Sequence, residues 1–190
     1  MDISQKPIVI LSSGPITLNP KTKAISVEIL NISLNDMRKV IIEIKNWTNN
    51  PHQEFAKFGF LFGEQINPAE SGDAVRNEKD TEANKTGSYQ LPIQFNDLTM
   101  TFPPIMEPFI FTIPAQNRLS ILAFPPSQMN PCVYEVRLYL FNPVNLIYSS
   151  FGLSADGVPQ EGNTILSKQF FPHHPIPPFS MNQIIPQRPF

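Results

Sequence analysis

Residues Lys23–Ser33 read K-A-I-S-V-E-I-L-N-I-S, and residues Lys39–Thr48 read K-V-I-I-E-I-K-N-W-T. In the first stretch Ile25, Val27 and Ile29 share one face, and Ser26 and Glu28 share the other. In the second, Val40, Ile42 and Ile44 oppose Glu43 and Lys45, then Trp47. Apolar β-branched residues at a period of two are the mark of a half-buried strand. The short polar link Leu34–Arg38 predicts that the two strands pair as an antiparallel hairpin.

The same alternation recurs outward from this pair. Phe55–Phe62 sets Phe58, Phe60 and Phe62 on one face around Gly59, and Tyr89–Phe95 alternates with Pro92 marking an edge or a bulge. Leu98–Phe102 stops at Pro103-Pro104, and Phe109–Ile113 leads through the turn Ala115-Gln116-Asn117 into Arg118–Phe124. Cys132–Phe141, Val144–Phe151 and Thr164–Phe171 complete the series, with Gly152–Gly162 read as a loop. Gly63–Ser88 is acidic and poor in apolar anchors, and reads as one long exposed loop of the kind that is often functional or mobile. Roughly nine short strands with turns between them predict an all-β fold. The expected architecture is an antiparallel β-sandwich, jelly-roll or immunoglobulin-like, over residues 21–171.

Composition supports this reading. The chain has 190 residues, 21 of them Pro, and 41% are hydrophobic. That length suits one domain with extensions, and that much Pro rules out long helices. Only 16% of residues are charged and the net charge is −2, which disfavours disorder and electrostatic nucleic-acid binding. The N-terminal apolar run Ile8–Leu11 is too short for a secretory signal. No stretch approaches the ~20 apolar residues of a membrane span. Cytoplasmic synthesis without a signal peptide is expected, with the final location left open.

Catalytic chemistry is not announced. His173-His174 have only the distant His52 as a possible third ligand, so a polar patch is expected there instead of a metal site. Cys132 stands between Asn130-Pro131 and Val133-Tyr134, which supply neither base nor positive charge; a buried small residue at a strand start, or an intermolecular crosslink, is expected. Glu28 and Glu43 are expected to neighbour each other across strands as solvated surface charge, without the fixed separation that glycosidase chemistry needs. Trp47, Tyr134, Tyr139 and Tyr148 suggest a sugar platform, but Phe outnumbers Trp and Tyr together by fifteen to five, which favours packing. No enzyme activity and no cofactor are expected.

Two ends of the chain differ from the core. Residues 1–20 hold the isolated run Ile8, Val9, Ile10 and Leu11. Residues 172–190 are rich in Pro and, with the preceding Phe170 and Phe171, carry Ile176, Phe179, Ile184, Ile185 and Phe190. Disordered tails are normally polar, so these apolar arms are expected to dock on something. An extended arm adds naturally to a sheet edge of another copy. The expected partner is therefore the chain itself, as a homo-oligomer or polymer, through those eleven residues.

The pattern Ile25–Ser33 followed by Val40–Ile44, and Phe111–Asn117 followed by Tyr134–Leu138, resembles small immunoglobulin-like or jelly-roll-like domains of bacterial surface and spore-associated proteins. It is similar in outline to the endospore appendage subunits of bacilli. The resemblance implies sandwiches that stack into fibres, with N-terminal extensions reaching into a neighbour. It also implies a structural, spore-associated role. Of the Cys residues that crosslink many such subunits, this chain has only Cys132. A carbohydrate- or peptide-binding module using the 63–88 loop, and a viral jelly-roll coat protein, are the alternatives.

Overall fold

The computed structural model describes residues 8–48, 53–61, 63–67, 100–126 and 131–172. Twelve strands occur among them: β1 (Ile8–Ser12), β2 (Ile16–Thr17), β3 (Ala24–Asn31), β4 (Arg38–Asn46), β5 (Lys57–Leu61) and β6 (Glu64–Gln65), then β7 (Phe109–Ile113), β8 (Arg118–Ala123), β9 (Val133–Phe141), β10 (Leu146–Leu153), β11 (Pro159–Leu166) and β12 (Phe171–Pro172). A 3-10 turn, Ser167–Gln169, precedes β12. The first sheet runs β12-β1-β9-β4-β7, with β2 also on β9, and the second runs β11-β10-β3-β8-β5-β6. Every adjacent pair is antiparallel.

The period-two faces meet in one layer. From the first sheet Val40, Ile42, Ile44, Val136, Leu138 and Leu140 point inward, all with no exposed surface. The second sheet supplies Ile25, Val27, Ile29, Leu119 and Ile121, equally buried. Each such side chain contributes about 1.5–3 kcal/mol by leaving water. The two sheets thus enclose one core, as a β-sandwich does.

The predicted hairpin of β3 with β4 does not form. β3 pairs with β8 and β10, whereas β4 pairs with β7 and β9. The link between them arches from one sheet to the other, so their apolar faces look at each other across the core. Alternation fixes which face of a strand is buried, but not which strand lies beside it. For the same reason Glu28 and Glu43 are not neighbours: they lie on the outer faces of opposite sheets. The strand β11 begins at Pro159, inside the stretch expected to be a loop. It is an edge strand, where Pro as the first residue sacrifices no ladder bond.

Pairing is nested along the chain. β1 joins β9, β3 joins β8, β4 joins β7, and β5 joins β6. The chain therefore closes on itself like a folded ribbon. The predicted strand Tyr89–Phe95 and the 68–88 part of the predicted loop lie outside the described residues, as does Phe62.

A second apolar cluster lies on the outer face of the second sheet. Phe60, Leu122 and Leu153 are buried there, with Phe58, Met100, Phe124 and Phe151 packed against them. This explains why β8 reads as an almost unbroken apolar run: Leu119 and Ile121 fill the main core, and Leu122 fills the outer cluster.

The two sheets approach closely at Gly59. A Cβ built there would stand 2.3 Å from Cζ of Phe109, whose ring is 1% exposed and belongs to the opposite sheet. Gly59→Val should therefore destabilise the fold by about 1–3 kcal/mol through overpacking. Urea denaturation checks this, and adding Phe109→Leu should restore much of the loss.

One ion pair is buried in this interior. Lys57 is fully buried, and its Nζ donates to Glu54 Oε2, which also accepts from the Ile44 amide at 3.4 Å. Burial lowers the affinity of Lys57 for its proton and raises that of Glu54, and their mutual contact opposes both shifts. Removing one partner strands the other. Glu54→Gln should cost about 3–5 kcal/mol, and the double change Glu54→Leu with Lys57→Met should cost clearly less, read from denaturation midpoints.

Candidate assembly surface

Residues 8–17 form one strand broken in the middle. Ser12 lies opposite Arg137 and Ile16 opposite Tyr134, so Ser13, Gly14 and Pro15 face only Glu135 and Val136. Such a bulge flips the side-chain alternation. Leu11 and Ile16, five positions apart, therefore both reach the core, at 6% and 8% exposure. Gly14 takes a φ of +68°, which favours glycine at this kink. Ser13 closes the bulge: its amide donates to the Val136 carbonyl, and the Val136 amide donates back to its Oγ, each at 2.9 Å.

The run Ile8–Leu11, expected to dock on something as an apolar arm, pairs with Leu138–Phe141 of the same chain. Its alternation is the cause: Val9 and Leu11 face the core, while Ile8 and Ile10 face outward beside Phe141 and Tyr139. At the other end Phe170 is buried, with its ring edge-on to Tyr148 at 5.4 Å. Phe171 is half exposed and pairs with Ser12. Ile176, Phe179, Ile184, Ile185 and Phe190 lie outside the described residues, as do His52, His173 and His174.

The outer face of the first sheet carries a polar hub that sequence reading missed. Glu135 is 3% exposed and accepts from Ser12 Oγ at 2.5 Å, Trp47 Nε1 at 2.7 Å, and Arg137 Nε and NH2 at 2.8 and 3.0 Å. The available signal was Glu135-x-Arg137, two charges on the outward face of one strand. Ser12 comes from β1 and Trp47 from the turn that follows β4, which only the sheet order brings together. The hub fastens β1 to β9 and occupies the indole N–H that a sugar platform would use.

Other expected residues settle into quieter roles. Cys132 is buried, and burial pushes its thiol pKa up, away from the reactive thiolate. Tyr134 points into the core, where burial likewise raises its phenol pKa. Glu28 is partly covered, its pKa raised by burial against the bonds from Ser120 and Ser26 and the charge of Arg118. Among the described residues no cluster of His, Cys, Asp and Glu could hold a metal, and no helix is long and apolar enough to cross a membrane.

No family model, curated protein or solved structure matches the chain.

Burial pushes the Glu135 pKa up, but the bonds from Arg137, Ser12 and Trp47 outweigh it and hold the carboxyl below the ordinary range. Its contribution to stability is thus full above that range and is lost as pH falls through the lowered folded value. Glu135→Gln should cost about 1–3 kcal/mol at neutral pH. Denaturation measured at falling pH should show the difference between variant and parent shrinking in acid.

Proposed function

We propose that this chain is a structural subunit of jelly-roll type that self-assembles into a filament or ordered matrix, on a spore or similar particle, by exchanging β1 between copies. The nested pairing supports the jelly-roll type, because each strand of the first half meets its counterpart of the second half. The observation that carries the exchange is the seating of β1. It lies between β9 and β12, puts Val9 and Leu11 into the core, and joins the rest of the chain through the kink at Ser13–Pro15. The same strand from an identical neighbour fits the same slot in the same register, which is the usual route of strand swapping. Passing β1 head to tail gives open polymers. The reading gives the chain no enzymatic step, cofactor, nucleic acid or membrane partner.

A closed shell is the second reading, favoured by the nested order, which is also that of viral capsid domains.

Ile10 and Tyr139 are direct cross-strand partners, so Ile10→Cys with Tyr139→Cys should lock β1 in its own chain by a disulfide. Electron micrographs of the reduced protein should show polymers, and the oxidised protein should stay monomeric in size-exclusion chromatography with light scattering. Polymers from the locked protein would refute β1 exchange. A parent protein that stays single at high concentration would refute self-assembly. Closed particles would replace the fibre by the shell.

A further inference from the structure

Antiparallel sheets that face water usually turn polar side chains outward. The outer face of the first sheet departs from that rule along one row. Ile10 lies opposite Tyr139, Tyr139 opposite Ile41, and Ile41 opposite Ile110, so the neighbouring strands β1, β9, β4 and β7 set apolar residues in line. Ile8 and Phe141 pair in the row beside it. Ile8 is 52% and Ile110 44% exposed, and Ile10, Ile41, Tyr139 and Phe141 are half-buried. Among the described residues, none of these six packs into either apolar cluster of the sandwich. On the second sheet, by contrast, the outward Phe60, Leu122 and Leu153 are buried under their neighbours. A contiguous apolar patch left uncovered marks an interaction surface.

The charges on either side of the row say what fits it. On β4, Lys39 stands two residues before Ile41 and Glu43 two residues after it, both on the outward face. Lys39 is exposed, its Nζ lies 5.9 Å from the centre of the Phe141 ring, and among the described residues it meets no carboxylate. Glu43 accepts from the Tyr139 hydroxyl at 3.1 Å and pairs with Lys45 at 3.3 Å, both through Oε2, which leaves Oε1 open. On β9, Arg137 and Phe141 flank Tyr139 at the same spacing. A two-fold axis along the row lays a second copy of the face on the first with its strands reversed. Ile41 then meets Ile41, Lys39 of each copy meets Glu43 of the other, and Phe141 of each meets Arg137 of the other, a cation over a ring. The face is its own complement, which is the condition for an isologous contact.

We infer that the outer face of the first sheet, centred on the row Ile10, Tyr139, Ile41 and Ile110, is a two-fold contact with a second copy of this chain. With strands about 4.8 Å apart and about 3.4 Å per residue, the four strands present roughly 500 Å² per copy. A standard interface buries about 800 Å² per partner. The contact is therefore weak in dilute solution and takes hold where copies are crowded or already tethered. The face is the same whichever copy supplies β1, so the inference does not rest on strand exchange. Where exchange makes threads, this contact joins them side by side.

The test places a lone thiol in the row: full-length protein with Cys132→Ser and Ile41→Cys, oxidised at high concentration and read on denaturing, non-reducing gels. A control carries Val158→Cys in place of Ile41→Cys; Val158 is 51% exposed, so random collision favours the control. The expected result is a disulfide-linked dimer formed at least about tenfold faster through position 41 than through position 158. Adding Lys39→Glu should slow it, because each copy then sets a second carboxylate against Glu43, whereas Lys39→Arg should leave it fast. Glu43→Lys should slow it too. Mixing the Lys39→Glu and Glu43→Lys proteins should restore it, since both contacts of the mixed pair are again opposite in charge. Equal rates at positions 41 and 158 overturn the inference, and so does a rate that ignores Lys39→Glu. A mixture no faster than its two components overturns the two-fold register. Denaturation undoes exchanged strands before the gel is read, so this contact and the exchange of β1 fail separately.

Discussion

Everything in this molecule depends on burying alternate side chains of four central strands in one layer. β3 and β8 supply one wall, β4 and β9 the other, and their inward residues are sealed from water. Because a strand's side chains alternate, a slip of a single residue would turn a wall inside out. The bulge at Ser13–Pro15 is a local solution to that constraint. It lets one short segment serve the core on both sides of a kink. The close approach at Gly59 is another, since only a residue without a side chain leaves room for the Phe109 ring.

Much of this was legible in the sequence. The faces of β3, β4, β7 and β9 follow directly from period two, and so does the all-β class. Neighbour relations were not legible. The link Leu34–Arg38 is short enough for a hairpin but serves as an arch between sheets. Local pattern does not contain that choice, because it rests on which long-range partners, β8 and β10 or β7 and β9, complete each sheet. The start of β11 was hidden because Pro159 and Gly162 carry loop signals, and an edge strand tolerates both.

The candidate surface was legible only in part. The apolar character of Ile8–Leu11 stood out, and its alternation already hinted at a strand with one buried side. What the sequence withheld was the slot beside β9 in its own chain. The Glu135 hub was likewise invisible, since Ser12, Trp47 and Glu135 are far apart in the chain and meet only through the sheet order. Fully satisfied polar clusters of this kind rigidify the strands they join.

Nested pairing has a consequence for how the protein is made. β1 leaves the ribosome well before its partner β9, so Ile8–Ser12 must await residues 137–141. At about 5–20 residues per second that interval is on the order of 10 s. Throughout it, an apolar segment and an open sheet edge stand exposed on the nascent chain. Topologies rich in such distant contacts fold slowly as well. The interval between emergence of β1 and completion of β9 is thus the period in which chaperone protection matters most for this chain.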